Sequence, residues 1–403
     1  MNKVLFTSHL LEHPPAGGPF LRIENSIKAL DKISELHVIS RVTKRLLGGE
    51  EAEQFFRKLV HAFVYAPSVR EYCLLDKIFI KLKNIFIKMT DIDKDASFIV
   101  NYAHKNDIDI IWFGFGNISF KLIKRIRKLD SNLKLVCDTD SVWSRYILRE
   151  LPYEYDPICR KKIELDGKNK ELEEREWVDV CDVTTAVSEF DAKYYRSISS
   201  DLKKIKIFSN VIDLENYKVG DCSFDLRKPY IYLAGSFASK SPMDKASRWF
   251  IKKVFPLVKK KIPNIYLYIV GNDSDKVLSD INDSNIKILG KVVSVLPYLT
   301  GADVSIVPLM FESGTRFKIL EAAACNVPIV STTLGAEGLN VCNGKDIFIA
   351  DDPESFAQCI LNVIQNKDLA FNIACNCRRK IEQDYSLSTL IAEGEEILKY
   401  LNS

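Results

Sequence analysis

Residues 313 to 321, Ser-Gly-Thr-Arg-Phe-Lys-Ile-Leu-Glu, combine the ingredients of an anion seat at the start of a helix. Gly314 lets the backbone approach a ligand closely, and Thr315 is placed to cap a helix whose first free amides then point at negative charge. Arg316 and Lys318 add full positive charges at that end. In a helix begun at Gly314, Lys318 and Glu321 follow at spacings of four and three and share a face. A diphosphate at the amides then leaves Glu321 about one turn further on, ready to accept hydrogen bonds from ribose hydroxyls. The same residues also fit a plain capped helix, with a Lys318 to Glu321 surface pair and Ile319, Leu320 and residues 322 to 324 packed inward. The segment PIVSTTLGAEGL, 328 to 339, shifts the balance toward the anion seat, because a second strand-end loop with its own glycines converges on the same helix terminus.

Strands and helices must hold such a seat in place. Short runs rich in Val, Ile, Leu, Phe and Tyr recur at 3–7, 36–41, 62–65, 108–114, 133–139, 182–188 and 205–210, and again at 230–235, 265–271, 286–290, 304–309, 328–333 and 346–350. Separated by helical stretches, they have the rhythm of α/β units built on parallel sheets buried on both faces. A polar stretch, 211–228, divides the two series. The expected organisation is therefore 1–215, 216–385 and a terminal helix over 386–403 that packs back on the first unit. Open parallel sheets bind ligands at the carboxyl ends of their strands, so two such units facing one another would make a cleft.

A chain of 403 residues with 47% hydrophobic and 28% charged residues has the composition of a folded enzyme and exceeds what one core usually spans. A formal charge of +3, from 57 basic and 54 acidic residues, is too balanced for nucleic acid to be a bulk electrostatic partner. The ten cysteines form no CxxC pair and read as reduced packing residues. The first apolar run, Val4-Leu5-Phe6, is too short for a signal peptide and no segment is long and apolar enough to span a bilayer, so a cytoplasmic protein is expected. Residues 74–89 carry apolar side chains at helical spacing among Lys77, Lys81, Lys83 and Lys88. Such a helix either packs on a sheet or rests peripherally on the anionic inner face of a membrane. Asp138-Thr139-Asp140 has the form of a metal-binding Asp-x-Asp, but a second complete strand and helix series favours Asp138 as a structural strand end and Asp140 as a residue near sugar or acceptor.

These residues resemble the retaining glycosyltransferases called family 4 of the GT-B fold, the glycosyl transferases group 1. The likeness is carried by LYIVG (267–271), Gly290, Ala302-Asp303-Val304, SGTRFKILEA (313–322) and PIVSTTLGAEGL (328–339). In the first unit it is carried by HPPAGG (13–18), Arg22, LVCDTDS (135–141), DVTTAVSE (182–189), Asn210 and Asp213. The resemblance implies two facing Rossmann-like domains, the first on the acceptor side and the second binding the donor. It implies transfer of a sugar from a nucleotide-diphosphate sugar to a glycan, lipid-linked or other hydroxyl acceptor, with retention and with neither metal nor cofactor; the excess of Lys, Ile and Asn separately hints at a bacterial source, which a role in surface polysaccharide biosynthesis would fit. Carried over, Glu321 holds the ribose, and Lys318 with Arg316 holds the leaving diphosphate. Gly17 and Gly18 approach donor phosphate or acceptor, and Gly235, Glu312, Gly314 and Thr315 complete the donor contacts. The sequence departs from the pattern in three places: Ser313 stands where the first of two paired glutamates is expected, with Glu312 one place earlier; Asp140 stands in place of a histidine; and Ser236 follows Gly235 where a basic residue is common, leaving Lys240 as the nearest substitute. A nucleotide-sugar epimerase or hydrolase of the same fold and a two-domain binding protein without chemistry are the competing readings.

Overall fold

The computed structural model describes residues 2–69, 90–217 and 226–403, so the amphipathic segment 74–89 lies outside the described residues. The chain divides into two compact units. Unit 1 comprises Met1–Ser144, Glu164–Asn210 and Leu390–Ser403, and unit 2 comprises Arg145–Ile163 and Val211–Thr389.

Unit 1 is built on a seven-stranded sheet, β1 (Asn2–Ser8), β2 (Ser34–Ser40), β3 (Ala62–Tyr65), β4 (Ile110–Gly114), β5 (Lys134–Asp138), β6 (Val183–Ala186) and β7 (Ile205–Ile207). Its spatial order is β3-β2-β1-β4-β5-β6-β7. Unit 2 holds a six-stranded sheet of β8 (Tyr230–Ala234), β9 (Tyr266–Val270), β10 (Ile286–Ile288), β11 (Val304–Val307), β12 (Ile329–Ser331) and β13 (Phe348–Ile349), in the order β10-β9-β8-β11-β12-β13. All the pairings within both sheets are parallel. Every strand falls within or beside an apolar run of the sequence, because helices cover both faces and leave no polar side for alternation: all five residues of β4, Ile-Ile-Trp-Phe-Gly, are buried.

In each sheet the first strand pairs with both the second and the fourth. Residues Val4 to Thr7 of β1 align with Ile110 to Phe113, and Val304 of β11 aligns with Ile231 of β8. The chain therefore reverses its direction of winding at β1/β4 and at β8/β11, and loops leaving the carboxyl ends of those strands splay apart into the crevice where such folds bind ligands. Gly17 and Gly18 follow β1, Gly235 follows β8, and residues 312 to 318 follow β11.

Two segments join a unit distant from their neighbours in sequence. Residues 145–163 cluster with unit 2, and the last helix, Leu387–Leu401, contributes Leu390 onward to unit 1. There Glu393 accepts hydrogen bonds from the amide and hydroxyl of Ser209, both at 2.7 Å. Gly394 permits the approach, since a Cβ at that position would stand 2.8 Å from Ile33 Cδ1.

Candidate active site

In unit 2 the helix after β11 spans Phe317–Ala324 and does not begin at Gly314. Gly314 has φ of +80° and Arg316 is extended at φ −100°, ψ 106°, so neither lies on a helical path. Arg316 occupies the cap position and its side chain makes no cap hydrogen bond, while Thr315 is buried in the turn one residue before the cap position. Gly314 consequently does not share a helical face with Lys318 and Glu321; those two alone keep the helical spacing. The glycine's left-handed conformation turns the backbone directly before the first amides, which no intrahelical acceptor serves.

Lys318 and Glu321 are half-buried on this helix. Burial pushes the Lys318 ammonium below the usual lysine range, against the opposing pull of Glu312 and Glu321. Burial likewise raises the Glu321 carboxyl, partly offset by a hydrogen bond from Tyr217 Oη at 3.0 Å and by Lys318. Arg316 is only 4% exposed and donates from Nη1 to the carbonyl oxygens of Ser313, at 2.7 Å, and Gly314. Its charge is therefore directed at least in part to holding its own turn rather than outward. Gly235 lies against Gly271, where a Cβ would stand 1.7 Å from the Gly235 oxygen, so the ends of β8 and β9 meet at backbone distance. Ser236 and Lys240 are exposed.

The loop before the helix is gripped by a residue the sequence reading passed over. Arg149 donates to Glu337 through a two-pronged contact, Nη1 to Oε1 at 2.7 Å and Nη2 to Oε2 at 2.8 Å, and Nη1 also reaches the Glu312 carbonyl at 2.7 Å. One guanidinium thus ties the loop after β11 to the Gly-Ala-Glu-Gly turn after β12, and that fork geometry is specific to arginine. Tyr153 adds a hydrogen bond to the Met310 carbonyl at 3.2 Å and stacks on Phe311 with ring centroids 5.5 Å apart. The Gly-Ala-Glu-Gly motif hinted at Glu337; nothing local to residues 145–163 signalled that they join unit 2.

In unit 1 Gly17, with φ of +104°, precedes the Gly18–Ile33 helix, and space is open around its missing Cβ. On that helix Arg22 is 2% exposed and pairs with Asp138 at the end of β5. It also donates to Asn210 Oδ1 at 2.7 Å and the Phe208 carbonyl at 3.2 Å, while Thr185 Oγ1 donates to Asp138 at 2.7 Å. Asp138 is thereby committed inside the protein. Asp140, two residues on, accepts from Asn117 Nδ2 at 2.6 Å and Trp143 Nε1 at 3.0 Å. Burial raises its carboxyl above the usual aspartate range, and the two donors and the Arg22 charge oppose the rise. The two aspartates of the Asp-x-Asp run therefore serve separate networks.

Residues 228–366 match the family model described as glycosyl transferases group 1, a stretch that contains Gly235, Glu312, Gly314, Arg316, Lys318, Glu321 and Glu337. Over that stretch the chain is similar to the group 1 glycosyl transferases. A Klebsiella pneumoniae protein named as an uncharacterized 44.6 kDa protein in the cps region is 26% identical over 159 residues, covering 36% of this chain and 41% of that one. The chain matches about two fifths of the length of its curated relatives. Anabaena HepE, solved in complex with UDP and glucose, superposes with a TM-score of 0.67 at 15% identity, covering 99% of this chain and 100% of its own. Sucrose-phosphate synthase from Thermosynechococcus elongatus superposes with a TM-score of 0.73 at 14% identity, covering 100% and 99%. At these identities the likeness establishes the fold, two parallel-sheet α/β units of the GT-B type, and the stretch that matches the group 1 model, 228–366, lies within unit 2. Among the described residues no helix is long and apolar enough to cross a membrane.

Proposed function

We propose that the protein is a glycosyltransferase that takes a nucleotide-diphosphate sugar at the carboxyl end of β11 and passes the sugar to a hydroxyl acceptor carried by unit 1. The observation that supports this most directly is the turn at Gly314 leading into a helix that opens with free amides and carries the half-buried Lys318, at a topological switch point within the stretch that matches the group 1 model. Breaking the bond between sugar and diphosphate builds negative charge on the leaving phosphate, so a fixed cation and helix amides there stabilise the transition state more than the bound substrate. Lys318 supplies the charge, Glu321 the ribose contact, and Gly235 the close backbone approach. Arg316 keeps the turn in shape. Asp140, Gly17 and Gly18 belong to the sugar and acceptor side, and Glu312 to the sugar hydroxyls. Retention of configuration and independence of metal are part of this reading.

UDP-sugars are the first donors to try, since HepE was solved with UDP and glucose. A ligand that binds only the native state raises its melting temperature. A thermal-shift screen over UDP, GDP and ADP sugars is expected to yield one responding base, followed by product analysis with oligosaccharide and lipid-linked acceptors to separate transfer from hydrolysis. If none of the nucleotides raises the melting temperature, or Lys318→Glu leaves the response intact, the reading falls.

A further inference from the structure

Three side chains at the amino-terminal edge of the unit 1 sheet have no part in the chemistry above. Glu35 and His37 lie two residues apart on β2 and so share one face of the strand. His61 directly precedes β3, the strand paired in parallel with β2. His37 Nε2 lies 3.3 Å and His61 Nε2 3.8 Å from Glu35 Oε1, and the three donor atoms all fall within 4.8 Å of one another. The imidazole rings are 4.9 Å apart. We propose that Glu35, His37 and His61 form a binding site for one zinc-class divalent cation, with a fourth position open to water.

The spacing fits the chemistry. Zinc bonds of ~2.0–2.2 Å to nitrogen and oxygen in a tetrahedron set neighbouring ligand atoms roughly 3.3–3.6 Å apart. Glu35 and His37 already stand at that separation. His61, 58% exposed, is free to rotate the short remaining distance. His37 is buried and its other ring nitrogen lies 2.9 Å from Tyr102 Oη. In the metal-bound form Nδ1 would donate to that hydroxyl, fixing the ring and leaving the Nε2 lone pair to the cation, as outer partners of metal-bound histidines do. Two imidazoles and a carboxylate suit zinc over magnesium or calcium, which take oxygen ligands. The competing cation is Lys3, whose Nζ lies 3.9 Å from Glu35 Oε1. That contact is loose and partly exposed, and Lys3 keeps a 2.9 Å hydrogen bond to the Asn106 carbonyl when Glu35 turns to a metal. The cluster sits at the opposite end of the strands from Gly17 and Asp140, so the site stands or falls apart from the donor reading.

The test titrates tag-free, chelator-stripped full-length protein with Zn2+ by calorimetry and with Co2+ by visible spectroscopy. The expected result is one equivalent bound, with Co2+ bands of nitrogen and oxygen coordination and without thiolate charge-transfer absorption. Glu35→Gln and His61→Ala replace partly exposed side chains, keep the fold and abolish this equivalent, and Tyr102→Phe weakens it about tenfold. Zn2+ also raises the melting temperature of the native protein but not of those two variants. Failure to bind, binding unchanged in Glu35→Gln and His61→Ala, or thiolate bands assigning the metal to cysteines would each overturn the proposal.

Discussion

Arg22 in unit 1 and Lys318 in unit 2 both stand on the first helix to leave a switch-point strand, yet their surroundings differ. Arg22 is 2% exposed and meets Asp138, Asn210 and the Phe208 carbonyl. Lys318 is half-buried, and among the described residues it makes no ion pair; Glu312 and Glu321 act on it only through space. A buried charge whose partners come from the protein is part of the scaffold, because removing one partner strands the other in a low-dielectric interior. A charge held close to the surface with its partner left open is available to a ligand. Sequence proximity to a glycine turn is common to both helices and does not separate them; the counter-charge does.

The comparison breaks if Arg22 proves dispensable. Arg22→Met leaves Asp138 buried without its cation, so denaturant unfolding of unit 1 is expected to lose about 3–5 kcal/mol, with nucleotide affinity unchanged. Lys318→Glu should do the reverse: little change in stability and a loss of nucleotide-diphosphate affinity of about a hundredfold, as follows from removing a charge-assisted contact of ~1.5–3 kcal/mol and adding repulsion. Calorimetric titration with UDP and a denaturation curve on both variants check the pair. Equal effects of the two substitutions on either measurement would remove the distinction.

The strands were legible because parallel sheets covered on both faces require continuous apolar runs such as Leu135 to Cys137. The Gly314 turn was legible for a similar reason, since its glycine and following charges are adjacent in sequence. The start of the helix was not, because Gly314 and Arg316 adopt backbone conformations that tertiary packing selects against the local helix pattern. Arg149 was invisible for another reason: its partners lie at Glu312 and Glu337, and no periodicity links residues that far apart. The pairing of Arg22 with Asp138 and Asn210 is also long-range, although each of the three stood out singly.

Asp140 sharpens the contrast from the unit 1 side. Its carboxyl is raised by burial, so the folded state disfavours the charged form relative to the unfolded chain. That cost is fully present above the folded-state pKa and disappears as pH falls below the unfolded aspartate range near ~3.9. Asp140→Asn keeps an oxygen to accept from Asn117 and Trp143 while removing the charge. Turnover is expected to fall about tenfold to a hundredfold with donor affinity unchanged, in line with loss of an interaction made in the transition state. The melting temperature should rise slightly at neutral pH, and the gain should vanish in acid. A variant equally active as the parent would return Asp140 to the scaffold beside Asp138.

The smallest effect is expected where scaffold and seat meet, at Arg149. Lysine in its place keeps the positive charge near Glu337 but cannot make two parallel hydrogen bonds and a third to the Glu312 carbonyl. The loop after β11 would then be tied to the turn after β12 by a single point charge. Gly314 and Lys318 stand only a few residues further along that loop, so the loss should reach them as geometry rather than as missing charge. Arg149→Lys is expected to weaken nucleotide binding about tenfold, or ~1.4 kcal/mol. Glu337→Gln should cost a similar amount, and the double substitution less than the sum, because both single changes disrupt the same contact. Strict additivity in that cycle would show that the Gly-Ala-Glu-Gly turn and the Gly314 turn are positioned independently, and that the guanidinium between them only fills space.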